Sequence, residues 1–172
     1  QVNTAFHFDL ADTTQWTRMI TTLVMDDARN RLICADLKAR LACATRALVL
    51  VDRIDHADRL AGMLRGLCPV VLTGDKTKKE QEAAMVRVRA GAAVTIATAA
   101  LMGEGVDVPG WDLLVMASPF AGGPRTLQAI GRVCRAAEGK TTATVVDICD
   151  PLVPALVNAR YARMAAVRKG KR

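Results

Sequence analysis

Two periods of apolar and polar residues alternate along this chain. Short apolar-rich runs at 46–51, 69–72, 93–97, 112–116 and 142–148 read as strands, most of them buried on both faces. Between them, apolar residues recur at helical spacing. A helix over about 14–27 is predicted to bury Trp16, Met19, Ile20, Leu23 and Val24, and a second over about 30–44 to bury Leu32, Ile33, Leu37 and Leu41. The run 54–65 would turn Ile54, Ala57, Leu60, Ala61 and Leu64 inward. Further helices are predicted over 78–90, 126–136 and 151–167, and residues 1–13 read as an extended arrival.

Strand and helix alternating at this spacing predict an α/β domain in three layers, an open parallel sheet with helices on both faces. The predicted organisation is a helical lead-in over 1–45, the sheet domain over 46–150, and a final helix with a basic tail over 151–172. Composition agrees. The chain of 172 residues is 51% apolar but only 3% aromatic, which suits aliphatic helices on a parallel sheet better than an aromatic-rich sandwich. No apolar run is long enough to span a bilayer, and the N-terminus lacks the apolar core of a secretory signal. The five cysteines show no CxxC spacing, so they are expected to be reduced thiols of a cytoplasmic protein, with no metal ligands among them. His7 and His56 read as ordinary residues. The chain starts at Gln1 and is expected to be a piece of a longer protein.

The net charge of +7 points to an anionic partner, nucleic acid or a membrane surface. One stretch could meet it directly. Along 126–135, Gln128, Gly131, Arg132 and Arg135 fall at i, i+3, i+4 and i+7, on one helical stripe. Leu127, Ile130 and Cys134 form a second, apolar stripe. Pro124, after Gly122-Gly123, suits the first helical position, where no amide donor is missed. Two guanidiniums one turn apart beside a glycine can converge on phosphate oxygens; a solvated basic face would carry the same residues. The loop 98–109 (Thr-Ala-Ala-Leu-Met-Gly-Glu-Gly-Val-Asp-Val-Pro) offers close backbone approach at Gly103 and Gly105 and a carboxylate, Asp107, before a rigid Val-Pro step. It too has a purely structural reading as a tight turn capped by aspartate.

Together these two stretches resemble the second RecA-like domain of superfamily-2 helicases and translocases. The loop is similar to that family's motif V and the arginine helix to its motif VI. Residues 47–58 resemble motif IV, and Thr73-Gly74-Asp75 the motif that follows it. The resemblance covers about 32–150 and looks closest to the restriction-enzyme helicase subunits and the repair helicases of the XPB type. It implies a RecA-like fold. It implies that Arg135 is an arginine finger on the γ-phosphate of ATP, that Arg132 is a second contact to the triphosphate or the partner domain, and that Gln128 orients the helix or the attacking water. Gly105, Asp107 and Gly131 would lie at the ATP cleft, and Thr98, Thr73 and Gly74 would touch the nucleic-acid backbone.

Departures from the family pattern sharpen the expectation. Gln128 stands where the DEAD-box branch has histidine, which favours DNA over RNA as partner. No G-x-x-x-x-G-K-S/T loop and no magnesium-holding acidic box occur in the chain, so ATP and Mg2+ would bind only jointly with an N-terminal RecA-like domain. The isolated chain is therefore expected to hydrolyse no ATP. Two alternatives stay open: a RecA-like module that binds nucleic acid or protein without turnover, and an unrelated doubly wound enzyme for a phosphorylated small molecule. The tail over 160–172 carries six cationic residues and no acid, and reads either as a phosphate-tracking surface or as a solvated end.

Overall fold

Five consecutive apolar residues, Ala47–Val51, form strand β2, and all five are fully buried. Such a strand must be covered on both faces and paired on both edges, and it is. In the computed structural model, which describes residues 1–103, 108, 110–120 and 123–169, β2 lies between β4 (Val94–Thr98) and β5 (Leu113–Met116), with Val49 opposite Ile96 on one side and Val115 on the other. Adding β3 (Val70–Leu72), β6 (Thr144–Cys149) and a short edge strand β1 (Val2–Asn3) gives six parallel strands in the order β1-β6-β5-β2-β4-β3.

Side chains alternate across the sheet. Val49, Val51 and Ile96 face helices α2 (Asp27–Arg40) and α3 (Ile54–Met63), meeting Ile33, Leu37, Ala57 and Leu60. Leu48, Leu50 and Leu114 face the opposite side, meeting Val88 of α4 (Lys78–Arg89) and Ala129 and Val133 of α5 (Pro124–Val133). A third apolar cluster joins the two ends of the chain: Met19, Leu23 and Val24 of α1 (Trp16–Met25) pack with Phe6, with Val153, and with Leu156 of α6 (Pro154–Lys169). Helix α3 leaves β2 toward one face and α5 leaves β5 toward the other. The carboxyl ends of β2 and β5, which are neighbours, therefore flank the crevice where chain direction reverses across the sheet. No helix among the described residues is long and apolar enough to cross a membrane.

Several predicted boundaries shift for identifiable reasons. Helix α2 starts at Asp27 rather than near 30, because the Asp26 carboxylate caps the Arg29 amide at 2.8 Å. Residues 1–13 contribute an edge strand as well as an arrival. The predicted inward sides of three helices are also rotated: Trp16 (39% exposed), Leu32 (37%) and Ile54 (38%) lie outward. On α1 the buried set narrows to Met19, Ile20, Leu23 and Val24.

Below the sheet's carboxyl edge runs a buried ion pair. Arg29 donates Nε to Asp150 Oδ1 at 2.8 Å and Nη2 to Asp150 Oδ2 at 3.1 Å, with both side chains sealed from solvent. Nη2 also reaches the Ala117 carbonyl at 2.9 Å, and the Thr4 hydroxyl donates to Asp150 Oδ1 at 2.5 Å. One guanidinium thus joins α2, the end of β5, the end of β6 and the segment after β1. Removing one member strands a buried charge, so Asp150→Asn is expected to lower the unfolding free energy by roughly 3–5 kcal/mol in a urea titration. The paired replacement Arg29→Met with Asp150→Leu should recover part of that loss.

Candidate functional site

Gly123, in extended conformation, caps α5, and Pro124 opens its first turn as its missing amide donor predicts. The helix ends at Val133, three residues short of the predicted 136, so Arg135 sits just beyond it. There the Arg135 amide bonds back to the Arg132 carbonyl at 3.3 Å, and Lys140 Nζ grips the Arg135 carbonyl at 2.8 Å. A second Lys140 bond, to the Val133 carbonyl, places a cation on the negative end of the helix. The buried stripe of α5 is Thr126, Ala129 and Val133. This corrects the predicted Leu127, Ile130 and Cys134: the first two are half-buried and Cys134 is exposed. The small Ala129 lets the helix axis approach the sheet, which rotates the bulkier neighbours to the flanks.

The predicted polar stripe does face outward. Gln128, Gly131 and Arg135 are exposed and Arg132 is half-buried. Among the described residues nothing lies within 4 Å of where a Cβ on Gly131 would sit, so the helix presents an open notch there. Arg132 donates through Nη1 to the carbonyl of Met102, in the turn Leu101–Gly103 that follows β4. That bond ties the arginine helix to the start of the glycine loop and uses one of the five donors of the guanidinium. Gly105, Asp107 and Pro109 lie outside the described residues.

The remaining candidates stand at adjacent strand ends. Thr98 closes β4 and is nearly buried; Thr73 follows β3 and is fully buried. A partner at β3 would therefore meet main-chain groups of the Thr73-Gly74 turn rather than the Thr73 hydroxyl, and the space over Gly74 is open among the described residues. The turn is held from below. Gln81 Nε2 donates to the carbonyls of Lys76 at 3.0 Å and Thr73 at 3.4 Å, and Thr77 with Glu80 forms a capping box at the start of α4. The Thr73 hydroxyl, chief among several partners, holds the Asp75 carboxyl below its ordinary range. The tail arginines behave differently from prediction. Arg163 is buried, donates to Asp147 Oδ1 at 2.8 Å and also bonds the Phe120 carbonyl. Arg160 pairs with the same carboxylate at 3.5 Å. These two cations are internal ties; residues 170–172 lie outside the described set.

The sequence matches the family described as the helicase conserved C-terminal domain over residues 29–137, well over half of the chain. The chain belongs to that family. Solved structures share its fold. The E. coli DEAD-box protein SrmB, solved with a regulator of ribonuclease activity, is 24% identical with a TM-score of 0.61, over 77% of this chain and 78% of that one. UvsW of phage T4 is 20% identical with a TM-score of 0.69, over 92% of this chain and 35% of its own. S. cerevisiae Dbp5, solved with RNA, ADP and BeF3, is 18% identical with a TM-score of 0.59, over 77% of this chain and 36% of its own. At these identities the likeness is one of fold, and it spans DEAD-box and other members alike. A comparison with curated protein sequences returns no match.

One part of this helicase C-terminal domain escaped the sequence reading. His56, taken as an ordinary residue, is fully buried under the ends of β2 and β5. Asn30 donates Nδ2 to the Val24 carbonyl at 2.8 Å, which turns its Oδ1 toward His56 Nε2 at 3.1 Å. The imidazole therefore carries its proton on Nε2, and Nδ1 accepts from the Ser118 hydroxyl at 3.2 Å. Ser118 Oγ in turn accepts from the Asp52 amide at 3.0 Å, fixing the first residue beyond β2. Burial, reinforced by the nearby Arg29 and Arg59 charges, lowers the His56 pKa to about 3. As pH falls below 6.5 the unfolded chain takes up a proton here and the folded chain does not. Stability is thus expected to drop on acidification from pH 6.5 toward 3, by up to about 1.4 kcal/mol per unit. Urea unfolding at pH 7 and pH 5 measures the slope; His56→Gln should start less stable and lose less.

Proposed function

We propose that this domain is the second half of a two-lobed, ATP-driven motor that moves along nucleic acid, with DNA the preferred partner. The observation that carries the reading is the bond from Arg132, half-buried on the outward stripe of α5, to Met102 in the turn that follows β4. A preceding RecA-like lobe would bring the phosphate-cradling loop and the magnesium-holding acid. Bound there, ATP with Mg2+ supplies the phosphoryl group whose transfer drives movement.

The residues present fit a triphosphate arriving from outside. Among the described residues Gly131 leaves the helix surface open, and Arg132 and Arg135 follow it with forked donors of the kind suited to phosphate oxygens. Arg135 neutralises charge on the terminal phosphate. Arg132, already tied to the loop, holds the inner phosphates or the facing lobe. Gln128 orients polar groups at the head of the same stripe, and Gly105 and Asp107, outside the described residues, would be the loop's contribution to ATP binding. Thr98 and the Thr73-Gly74 turn grip the sugar–phosphate backbone without reading its sequence. Gln128 in place of histidine supports the DNA-translocase branch over the DEAD-box branch, and five free thiols support a cytoplasmic setting.

In the two-lobed protein, Arg135→Ala is expected to keep ATP affinity within a few-fold while turnover falls on the order of a thousandfold. Equilibrium nucleotide binding and steady-state hydrolysis measure the two, and ordinary turnover in the variant would remove Arg135 from its role. Gly131→Ala adds a methyl group where, among the described residues, the domain offers no obstruction. It should hold or raise thermal stability, by up to about 1 kcal/mol from helix propensity, while lowering turnover. The isolated chain should show no ATP turnover above background.

A further inference from the structure

Trp16 is the least sheltered tryptophan of an aromatic-poor chain. It sits at the first position of α1, 39% exposed, and joins none of the three apolar clusters. Its neighbours Thr17, Arg18, Thr21 and Thr22 are polar and exposed. With Ile20, Asp52, Pro119 and Phe120 it lines a hollow of about 240 Å³. Asp52 is the first residue past β2 and Pro119-Phe120 the first turn past β5, so the hollow opens at the reversal point of the sheet, where open α/β sheets bind their ligands.

The floor of this hollow is fixed. Ser118 and His56 hold the Asp52 main chain, Phe120 packs against the cluster beneath α5, and Arg163 bonds the Phe120 carbonyl. Arg53 extends along α1, donating to Thr21 Oγ1 at 2.8 Å, and puts a cation beside the opening. The hollow is below the ~300–1,000 Å³ of pockets that enclose a whole ligand, so it suits one flat ring of a larger molecule.

We propose that this hollow is a base-stacking seat, in which one unstacked nucleobase of a single strand lies against Trp16 and Phe120 and donates from its edge to the Asp52 carboxylate. The inference rests on the nucleic-acid reading above and adds a base contact to it. In sheet order the seat at β5 and β2 is followed by Thr98 at β4 and the Thr73-Gly74 turn at β3. At the ~4.8 Å spacing of neighbouring strands, that row spans about 14 Å, a few nucleotides of extended strand. Every base has a ring face and an edge donor, so the seat tolerates sequence.

The test uses the chain as it stands. Trp111 is fully buried, so a change in tryptophan emission on adding ligand reports Trp16. The chain is titrated with a short single-stranded oligodeoxynucleotide and with an abasic strand of equal length, following emission and the anisotropy of a labelled strand. Expected are quenching by the base-bearing strand alone, and roughly tenfold weaker binding of that strand by Trp16→Ala, with abasic binding unchanged and Trp16→Phe largely restoring affinity. Binding of both strands without quenching, or equal weakening of both by Trp16→Ala, overturns the seat and leaves the backbone grip intact. Binding of neither strand overturns the nucleic-acid reading together with the seat. If Trp16→Ala leaves both affinities unchanged but lowers turnover in the two-lobed protein, Trp16 serves a protein contact and the seat is refuted.

Discussion

The constraint that orders this molecule is a central strand with no free side. The five residues of β2 are fully buried above, below and along both edges, so neither face of this central strand has room for polar chemistry. Every side chain that could meet a phosphate or a base is displaced to the strand ends or to the helix that follows them. A parallel arrangement puts all the carboxyl ends on one side, and the loops leaving them form a single working edge. Thr73, Thr98, Asp52 and Phe120 lie on that edge because each follows or closes the carboxyl end of one of four neighbouring parallel strands.

Such an edge must be held from below, since apolar contacts alone do not fix the direction of a loop. Two buried polar groups do so here. The Arg29–Asp150 pair joins the ends of β5 and β6 to α2, and the Ser118–His56–Asn30 relay joins the ends of β5 and β2 to the same helix. Both anchor in the first turn of α2, which lies outside the predicted sheet domain of 46–150 yet inside the family match that starts at residue 29. The neutrality of His56 is part of this design. A charged imidazole could not accept the Ser118 proton, so the hydroxyl that holds the Asp52 amide would have to turn its own proton elsewhere.

Much of this was legible in the sequence. Short apolar runs bounded by charge, such as 47–51, read as buried strands, and motif-like stretches with distinctive residue types, 98–109 and 126–135, identified the family. What escaped depended on the angular position of a single side chain. The helical stripe of α1 placed Trp16 with Met19 and Leu23, but the buried set begins at Met19 and the Trp16 ring stays outside. On α5 the sequence weighted Leu127 and Ile130 by hydrophobicity, while packing selected the smaller Ala129 for closeness of approach. Arg163 looked like one of six solvated cations because its partner, Asp147, lies on β6 and is brought alongside only by the fold. The role of His56 was illegible for the same reason: Asn30 and Ser118 stand 26 and 62 residues away.

The outermost strands of the sheet are its shortest pairings, two residues in β1 and three in β3. A flank of that length exposes little unpaired backbone for a foreign strand to zip onto, and growth of the ladder halts at six. Recognition by other molecules is thereby left to side chains and loops, and the sheet can keep its flanks in water without inviting edge-to-edge aggregation.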